Sequence, residues 1–470
     1  LVGEGKWPLS DFLDGVLWLP FQEPKFLLHG FPVEPGDQPC LQAERRSDCL
    51  DLAKLWDVRG LLLLSPAPIQ PGLLCRVFNA FKNKDCDRQI GDRRIVNQAE
   101  YHVDGPSKNL PQGQQLTMLR LPRFTHMLRG SVTDRRDFYH QAKVSEERAV
   151  SNALPFAYRT EVFAGTRAWD ELGLRCEQRT KRTRETAGDG LKDIRKPPTV
   201  RRSSPALPER VYPCFRSLFQ GDHLGVEFAL QSHAVLLEGC GLLDSSTRIL
   251  GHHGFPPGPH WDALVIDDYF ALSCEPLSCH DSKTFAMSAL GRARSIYDRE
   301  GLLGSDEKDV VAQSTVKAAG AEIRSSPKNV RSGVVPVGAP FGKRLALAVL
   351  SLRGCRLPGI SPRLSSRLAG CWVSVLQYRK CWSSLVDSLF GLVALGEESG
   401  ENNIRCLPRK VAQELSTMAA AAPLMFTNIA VDYHDRIFAT DASVQKGAVV
   451  SAAIEPALTE KIWLGSDKKG

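Results

Sequence analysis

Apolar and polar residues follow one another along this chain in patterns that predict both helices and strands. In residues 221–237, apolar side chains recur at helical spacing after a Gly-Asp pair that can start a helix. Residues 345–395 and 411–424 have helical periodicity as well. Nearer the C-terminus, short apolar runs at 437–443 and 447–451 are typical of strands. The chain is therefore expected to be an α+β protein.

The clearest strand signal lies in the middle of the chain. The apolar run of residues 263–266 is followed by Asp267 and Asp268, and a second apolar run covers residues 269–272. Two turn-forming residues between two apolar runs are typical of a tight β-hairpin. Both aspartates are expected at its tip.

Adjacent carboxylates on a hydrophobic hairpin indicate a candidate metal site. Such carboxylates repel one another and are costly to desolvate unless a cation joins them. Mg²⁺ prefers oxygen ligands, and two such ions can stabilise the attacking and leaving oxygens of a phosphoryl displacement. A solvated Asp-Asp turn is the simpler interpretation of the pair alone. Asp134 favours the metal site, because it supplies a third carboxylate at the end of a predicted strand, five positions before Tyr139.

Size, composition and charge restrict the class of protein. A chain of 470 residues with 43% hydrophobic and 24% charged residues predicts two to four folded domains. The longest apolar stretch, 418–431, is interrupted by Pro423 and is shorter than the roughly 20 residues of a membrane span. Thirteen irregularly spaced cysteines suit a reducing compartment, so an intracellular location, cytoplasmic or nuclear, is expected. The net charge of +7 favours a polyanionic partner.

One region, about residues 157–213, differs from the rest in composition. It is rich in basic residues and poor in apolar ones, and is interpreted as a flexible basic insertion. The basic residues are Arg175, Arg179, Lys181, Arg182, Arg184, Lys192, Arg195, Lys196, Arg201 and Arg202.

The carboxylate motifs resemble those of retroelement reverse transcriptases. Residues 134–141 look like the first catalytic motif of that family, in which an Asp is followed by an aromatic residue, here Tyr139, that screens the sugar 2′ position. The hairpin tip is similar to the second motif, Y-x-D-D, with Val265 in place of the Tyr and both metal ligands kept.

Two further motifs resemble nucleotide-binding segments of the same family. Residues 88–97 are similar to R-x-x-x-D-x-R-x-x-N, which implies that Arg88, Asp92 and Arg94 belong to the site for the incoming triphosphate. Guanidinium groups suit this role because they bind phosphate bidentately. An exposed basic turn is the alternative interpretation.

A Gln-Gly pair marks the entry to the helix beneath template and nucleotide in this family. Gln220 and Gly221 resemble it and follow Asp134, as the family order requires. Gln112 and Gly113 match the neighbouring letters better but precede Asp134, so residues 220 and 221 are preferred.

Weaker resemblances continue toward the C-terminus. Residues 304–308 and 318–323 are similar to later palm segments, which makes Lys308 a candidate proton donor, although a surface lysine is the simpler interpretation. Asp441 lies in a segment that looks like the first strand of RNase H, where the Asp is a metal ligand. The other carboxylates of that site are expected downstream of residue 470, so RNase H activity is not expected.

Together these resemblances imply an RNA-directed DNA polymerase of LTR or DIRS-like type, with a right-hand fold and Mg²⁺ or Mn²⁺ held by Asp134, Asp267 and Asp268. Its implied partners are a primed RNA or DNA template and deoxynucleoside triphosphates, with no membrane. A catalytically decayed remnant that only binds nucleic acid is the alternative. The expected segments are an N-terminal region (1–60), fingers and palm (61–330), a helical thumb and connection (331–430), and a truncated RNase H-like start (431–470).

Overall fold

The computed structural model describes residues 3–30, 45–188, 207–279, 284–400, 402–442 and 446–465. The chain divides into two compact units, each assembled from three separate segments. The first unit contains Leu1–Ser107, Arg135–Gly239 and Ile296–Ser305, and the second contains Lys108–Asp134, Cys240–Ser295 and Asp306–Gly470. This grouping differs from the four consecutive segments expected from the sequence. The assignment of those segments to polymerase subdomains stays a prediction.

The strands are numbered in chain order. They are β1 (Leu62–Ser65), β2 (Arg76–Asn83), β3 (Cys86–Asp92), β4 (His126–Asp134), β5 (Tyr158–Arg159), β6 (Arg210–Phe215), β7 (His260–Val265), β8 (Asp268–Pro276), β9 (Val310–Gln313), β10 (Thr315–Ala318), β11 (Ala321–Arg324), β12 (Pro336–Gly338), β13 (Gly359–Ile360), β14 (Arg405–Cys406), β15 (Thr427–Asn428), β16 (Arg436–Ala442) and β17 (Gly447–Ala453).

The helices are numbered in the same way. They are α1 (Gly15–Gln22), α2 (Arg46–Val58), α3 (Arg94–Ala99), α4 (Phe138–Gln141), α5 (Glu146–Val150), α6 (Arg167–Gly188), α7 (Gly225–Glu238), α8 (Phe285–Glu300), α9 (Pro327–Arg331), α10 (Phe341–Gly354), α11 (Pro362–Leu376), α12 (Asp387–Ser399), α13 (Arg409–Ala421) and α14 (Pro456–Gly465). Within the described ranges, none of these helices is both long enough and apolar enough to cross a bilayer.

The first unit is built on a small antiparallel sheet in the order β1-β6-β5, with β2 and β3 as a separate hairpin. Strand β1 is buried along its whole length, so its run of leucines faces core on both sides. Trp56 of α2 packs against Phe215 and Phe219 in this core. The predicted helix after residue 221 is present as α7. It begins at Gly225 because the Asp222 carboxylate accepts the Leu224 amide and forms a turn before it.

The first part of the predicted basic insertion is folded, so that prediction is wrong for residues 157–188. Strand β5 pairs with β6, and α6 packs Ala168 and Leu172, four residues apart, into the core. Burying Leu172 stabilises the unit by about 1.5–3 kcal/mol. The Asp57 carboxylate accepts the amides of Arg167 and Ala168 at 3.1 and 2.9 Å, which satisfies free N–H groups of the first helical turn. Residues 189–206 of the predicted insertion lie outside the described residues.

The second unit contains a four-stranded antiparallel sheet in the order β7-β8-β4-β9. Strands β7 and β8 form the predicted hairpin, but its turn is shifted by one residue: Ile266 and Asp267 form the two-residue turn, and Asp268 is the first residue of β8, opposite Val265. Ala263, Phe270 and Leu272 from these strands enter the hydrophobic core. The apolar runs on either side of the aspartates therefore fix the hairpin in place.

A second sheet, β10-β11-β12-β15, and helices α10 to α13 complete the main core of this unit. Helix α10 packs against α13, and α11 packs against α12. Trp372 is fully buried and donates its indole N–H to Ser351 Oγ at 2.9 Å. Residues 345–395, where the sequence has helical periodicity, contribute to three helices, and Pro358 lies in the break between α10 and α11.

The C-terminal strands are also present as predicted. Strands β16 and β17 pair as an antiparallel hairpin, with Asp441 opposite Ala448, and α14 follows them. Helix α14 contacts the rest of the second unit through Trp463, whose ring lies 4.8 Å below the Arg120 guanidinium. The Phe255 amide also donates to the Leu464 carbonyl at 2.9 Å.

Candidate active site

The tight turn of the β7-β8 hairpin presents Asp267 and Asp268. Val265 pairs directly with Asp268, so only Ile266 and Asp267 lie outside the ladder. Ile266 has a φ of 58°, in the left-handed region that a β-branched residue rarely adopts. Such backbone strain persists only where the flanking structure imposes it, and it is frequent at functional sites. Here the paired apolar strands impose it.

Asp134 reaches the same place from the neighbouring strand. It is the last residue of β4 and lies directly opposite Asp268 in the antiparallel register. Carboxylate oxygens of Asp134, Asp267 and Asp268 all lie within 4.8 Å of one another. The predicted convergence of the three carboxylates is confirmed, and we call them the acidic cluster.

The acidic cluster carries more negative charge than its surroundings neutralise. Partial burial, together with the nearby Asp267 and Asp134 carboxylates, raises the pKa of Asp268 to about 7, and Lys308 opposes this shift. The Lys308 Nζ lies 3.5 Å from Asp134 Oδ2. Three partly exposed carboxylates with oxygen donors only are a ligand set that fits Mg²⁺ or Mn²⁺.

Lys308 belonged to the weakest of the sequence resemblances, yet it lies beside the acidic cluster. It ends a short 3-10 turn, Asp306–Lys308, just before β9. The segment 318–323, matched with it, forms the β10-β11 hairpin, with Ala319 and Gly320 at its tip. Both tip residues have positive φ.

Asp262 is a buried carboxylate that the sequence did not single out. It lies on β7 and accepts hydrogen bonds from the Leu243 amide, Thr247 Oγ1 and Tyr269 Oη at 2.8, 2.9 and 3.0 Å. Burial raises its pKa despite these bonds. It ties the loop before β7 to the hairpin, which is a structural role. No sequence signal separates it from Asp267, five residues later.

Residues predicted to bind the nucleotide lie in the first unit. Arg88 is exposed on β3. Arg94 donates from Nε and Nη2 to the Asp92 carboxylate at 2.8 and 2.6 Å, and this bond holds the pKa of Asp92 below its usual range. Tyr139 is partly exposed on α4, and its ring faces Gly225 at the start of α7. Their roles stay predictions.

Gln220 and Gly221 lie against the predicted triphosphate motif. The Gly91 amide donates to the Gln220 carbonyl at 2.6 Å, and Asn97 Nδ2 donates to the Gly221 carbonyl at 2.8 Å. Gly221 has a φ of 122°, and a Cβ there would lie 1.9 Å from the Gly91 carbonyl oxygen, so only glycine fits. The competing pair of Gln112 and Gly113 lies in the second unit.

One arginine of the predicted triphosphate motif has a different role. Arg93 is fully buried and donates to the Ser151 carbonyl at 3.0 Å, and its guanidinium lies 3.3 Å from Glu100. Arg148 joins it and bonds the Asp222 carboxylate. Burial alone would raise the pKa of Asp222, but Arg148 and Arg93 lower it to about 2. We call Arg93, Arg148, Glu100 and Asp222 the buried charge network.

A set of exposed arginines on or beside α10 and α11 was not identified from the sequence motifs. No Asp or Glu occurs between Glu322 and Asp387, whereas this stretch contains eleven lysines and arginines. Arg353, Arg356, Arg363 and Arg367 lie exposed on or beside α10 and α11. We call these four side chains the basic surface. The absence of acidic residues, rather than any cluster of basic ones, was the signal that could have revealed it.

Comparison with known proteins identifies the fold. No described protein family matches the chain, and no curated protein sequence does. The solved structure of the foamy viral protease-reverse transcriptase in complex with dsDNA is similar, with a TM-score of 0.51, 11% identity, and coverage of 87% of this chain and 63% of that chain. A second foamy viral structure with double-stranded DNA has a TM-score of 0.49 and 12% identity, and the match covers 84% of this chain and 51% of that chain.

The chain thus spans less than two thirds of the length of these solved proteins. The similarity shows that it has a reverse-transcriptase-like polymerase fold, which confirms the expected mixed helix and sheet class at this level. The hand-like subdivision and the RNase H-like start stay predictions.

Proposed function

We propose that this chain is an RNA-directed DNA polymerase of a retroelement, of LTR or DIRS-like type, that catalyses template-directed nucleotidyl transfer. The observation that carries the proposal is the acidic cluster, which lies at one end of an antiparallel sheet in a reverse-transcriptase-like fold. Three converging carboxylates are unfavourable for folding by themselves. Their retention is explained if they hold divalent cations for phosphoryl transfer.

In this proposal Asp134, Asp267 and Asp268 are the ligands of Mg²⁺ or Mn²⁺. When bound, a pair of such ions stabilises the attacking and leaving oxygens of the displacement. The protein's own contribution is to fix the carboxylates on paired strands, so that little rearrangement accompanies the reaction. Lys308, whose Nζ lies 3.5 Å from Asp134 Oδ2, would donate a proton to the leaving pyrophosphate.

The first unit would bind the incoming deoxynucleoside triphosphate. Arg88 and Arg94 are the candidate triphosphate ligands, since both guanidinium groups reach solvent. Asp92 would orient Arg94 through the bonds that it already accepts. Tyr139 would crowd a ribose 2′-hydroxyl, and the Gln220-Gly221 turn would support the template and nucleotide.

The nucleic-acid partner would be a primed RNA or DNA template. The basic surface supports this, because exposed basic groups displace counterions from phosphates. The similar foamy viral protein was solved in complex with dsDNA. We assign the fingers and palm to 61–330, the thumb to 331–430 and an RNase H-like start to 431–470, with Asp441 as its first metal ligand.

Primer extension tests the proposal. The chain should extend a DNA primer on an RNA template with Mg²⁺ and deoxynucleotides, and Asp134→Asn should abolish extension while leaving the fold intact. Asp244→Asn is the matched control, because Asp244 is an exposed aspartate of the second unit whose carboxylate accepts hydrogen bonds from the amide and hydroxyl of nearby Ser246.

A chain that retards the primer–template on a gel but never extends it would be the catalytically decayed remnant. Val265, in place of the tyrosine of the resembled motif, is the observation that favours this second candidate. Val265→Tyr then becomes informative, because it would restore extension only if that side chain is the missing part.

A further inference from the structure

Lys308 is held beside the acidic cluster by something other than its own ion pair. Its side chain is 59% exposed, and its Nζ lies 3.5 Å from Asp134 Oδ2. An exposed ion pair on a flexible lysine contributes little, because ordering the side chain offsets the gain. The backbone around residue 308 must therefore be fixed by other contacts.

The next residue supplies one such contact. The Asp309 side chain is only 1% exposed, and its Oδ2 accepts hydrogen bonds from Arg294 Nε and Nη2 at 3.0 and 2.7 Å. Arg294 lies on α8. The backbone immediately after Lys308 is thus attached to a helix by a charge-assisted pair, which is stronger than a neutral hydrogen bond.

The sheet supplies the other contact. Strand β9 begins at Val310, which pairs with Val132, two residues before Asp134 on β4. The Ala312 amide also donates to Ser131 Oγ at 3.0 Å. The position of Lys308 relative to Asp134 is therefore set by one strand pair and by the Arg294–Asp309 ion pair.

We propose that Arg294 and Asp309 are positioning residues, which hold the turn that carries Lys308 so that its ammonium group stays at the acidic cluster. This inference rests on the proposed polymerase function. Among the described residues, neither side chain has a hydrogen bond or ion pair to Asp134, Asp267 or Asp268, so their effect passes through Lys308. The Arg294 side chain is 42% exposed, so solvent screens this ion pair and the pair is weak evidence for stability. Positioning explains why it is kept.

A double-mutant cycle tests the proposal through activity. Arg294→Gln should lower the single-turnover extension rate at saturating nucleotide about ten-fold or more, which is part of the roughly 10²–10⁴-fold that a positioned proton donor contributes, with no change in apparent nucleotide affinity. In a Lys308→Ala background the same change should lower the rate no further. Arg294→Lys, which keeps the charge, should restore part of the rate.

Equal losses in both backgrounds would mean a general structural role and would overturn the proposal. Arg292→Gln is the matched control, because Arg292 lies on the same helix and donates to the Gly241 carbonyl at 2.8 Å instead. Asp309→Asn, which keeps the shape of the side chain, replaces Arg294→Gln if that variant fails to fold.

Chemical labelling tests the same proposal without any need for activity. In a short pulse of acetylating reagent followed by mass spectrometry, Lys308 should react more slowly than the exposed Lys328 of α9. Arg294→Gln should speed the labelling of Lys308 several-fold and leave Lys328 unchanged. Unchanged labelling of Lys308 would overturn the positioning role, whereas failure of the wild-type chain to extend primers would overturn only the proposed function.

Discussion

Charged side chains form two clusters with opposite character in this molecule. In the buried charge network of the first unit, two arginines lie among two carboxylates, and all four side chains are inaccessible. In the acidic cluster of the second unit, three carboxylates lie together, and the exposed Lys308 pairs with Asp134. The first cluster is neutral and closed, whereas the second is left negative and open to solvent.

This difference indicates that the buried charge network stabilises the fold, whereas the acidic cluster is available for function. A buried ion is tolerated only with partners that neutralise it, so the first cluster provides its own partners from neighbouring segments. In the acidic cluster, partial burial and the neighbouring Asp267 and Asp134 carboxylates raise the pKa of Asp268 instead. A cluster that the protein leaves unbalanced is available to an external cation or substrate.

The largest effect is expected from breaking the closed cluster. Asp222→Asn leaves Arg93 and Arg148 buried with one carboxylate fewer, so the free energy of unfolding should fall by about 3–5 kcal/mol. Denaturant unfolding measures this. Asp244→Asn, at an exposed position, should change it by about 0.5 kcal/mol or less. A loss for Asp222→Asn as small as the control's would show that the network is not a structural element.

An Asp→Asn substitution in the acidic cluster should instead lower the extension rate without lowering stability. Asp267→Asn should lower the extension rate by about 10²–10³-fold, the scale of losing one group that stabilises transition-state charge. The melting temperature should not fall, because one source of carboxylate repulsion is removed. Single-turnover kinetics and thermal unfolding of the same preparation test both halves. A destabilised Asp267→Asn would mean that the two clusters do not differ in kind.

A pH series sharpens the contrast further. Asp268 has a folded-state pKa of about 7, against an ordinary value of 3.8. At a pH between these two values, the folded chain therefore binds a proton that the unfolded chain does not bind. Without metal, stability should therefore fall as pH rises from about 4 to 7. Mg²⁺ competes with that proton, so its stabilising effect should be small near pH 5.5 and larger near pH 8.

Melting temperatures with Mg²⁺ or EDTA at the two pH values check this expectation. Asp268→Asn should flatten the metal-free pH dependence. Asp222→Asn should not, because the pKa of Asp222 lies near 2, below the range tested. A Mg²⁺ effect that is equal at both pH values would contradict the assignment of the raised pKa to the metal site.

Substitutions in the basic surface are expected to have the smallest effect. This surface is exposed to solvent like the acidic cluster, but its charge is positive. Replacing Arg363 and Arg367 together by Gln should reduce the slope of log affinity against log salt by about 2, with little change in unfolding. Binding of a fluorescent primer–template over a salt series measures the slope. Arg299→Gln is the control, since Arg299 pairs with its neighbour Glu300 in the first unit. An unchanged slope would exclude the basic surface from phosphate contact.

Part of the acidic cluster could be predicted, because local patterns determine the β7-β8 hairpin that presents Asp267 and Asp268. Apolar runs fix the two hairpin strands, which puts Asp267 in the turn and Asp268 at the start of β8. The pairing of β4 with β8 is a long-range contact that the sequence does not encode in any visible pattern. Asp134 was found through a motif resemblance, and the register Asp134↔Asp268 supplied the physical reason afterwards.

The buried charge network could not be predicted, because its partners are distant in sequence. Arg88, Arg93 and Arg94 are three arginines in one short motif, and the sequence does not distinguish them. The contacts of Arg93 with Ser151 and Glu100 show that it is the buried one. Helix α6 was missed for another reason. The region was judged by its average composition, which is basic. Ala168 and Leu172, four residues apart, are nevertheless enough to pack this basic helix against the core.

The contact between Gly91 and Gly221 bears on how saturation mutagenesis of this chain should be interpreted. A methyl group at position 221 would collide with a backbone oxygen, and one at position 91 would meet the ring of Phe219 at 2.7 Å. Every replacement at either position should therefore deplete the protein itself, in an abundance screen as much as in a screen for DNA synthesis. Intolerance at Gly221 is then no sign of nucleotide contact. At Gln220 the abundance screen and the DNA-synthesis screen can give different results, because a side chain there does not cause that collision.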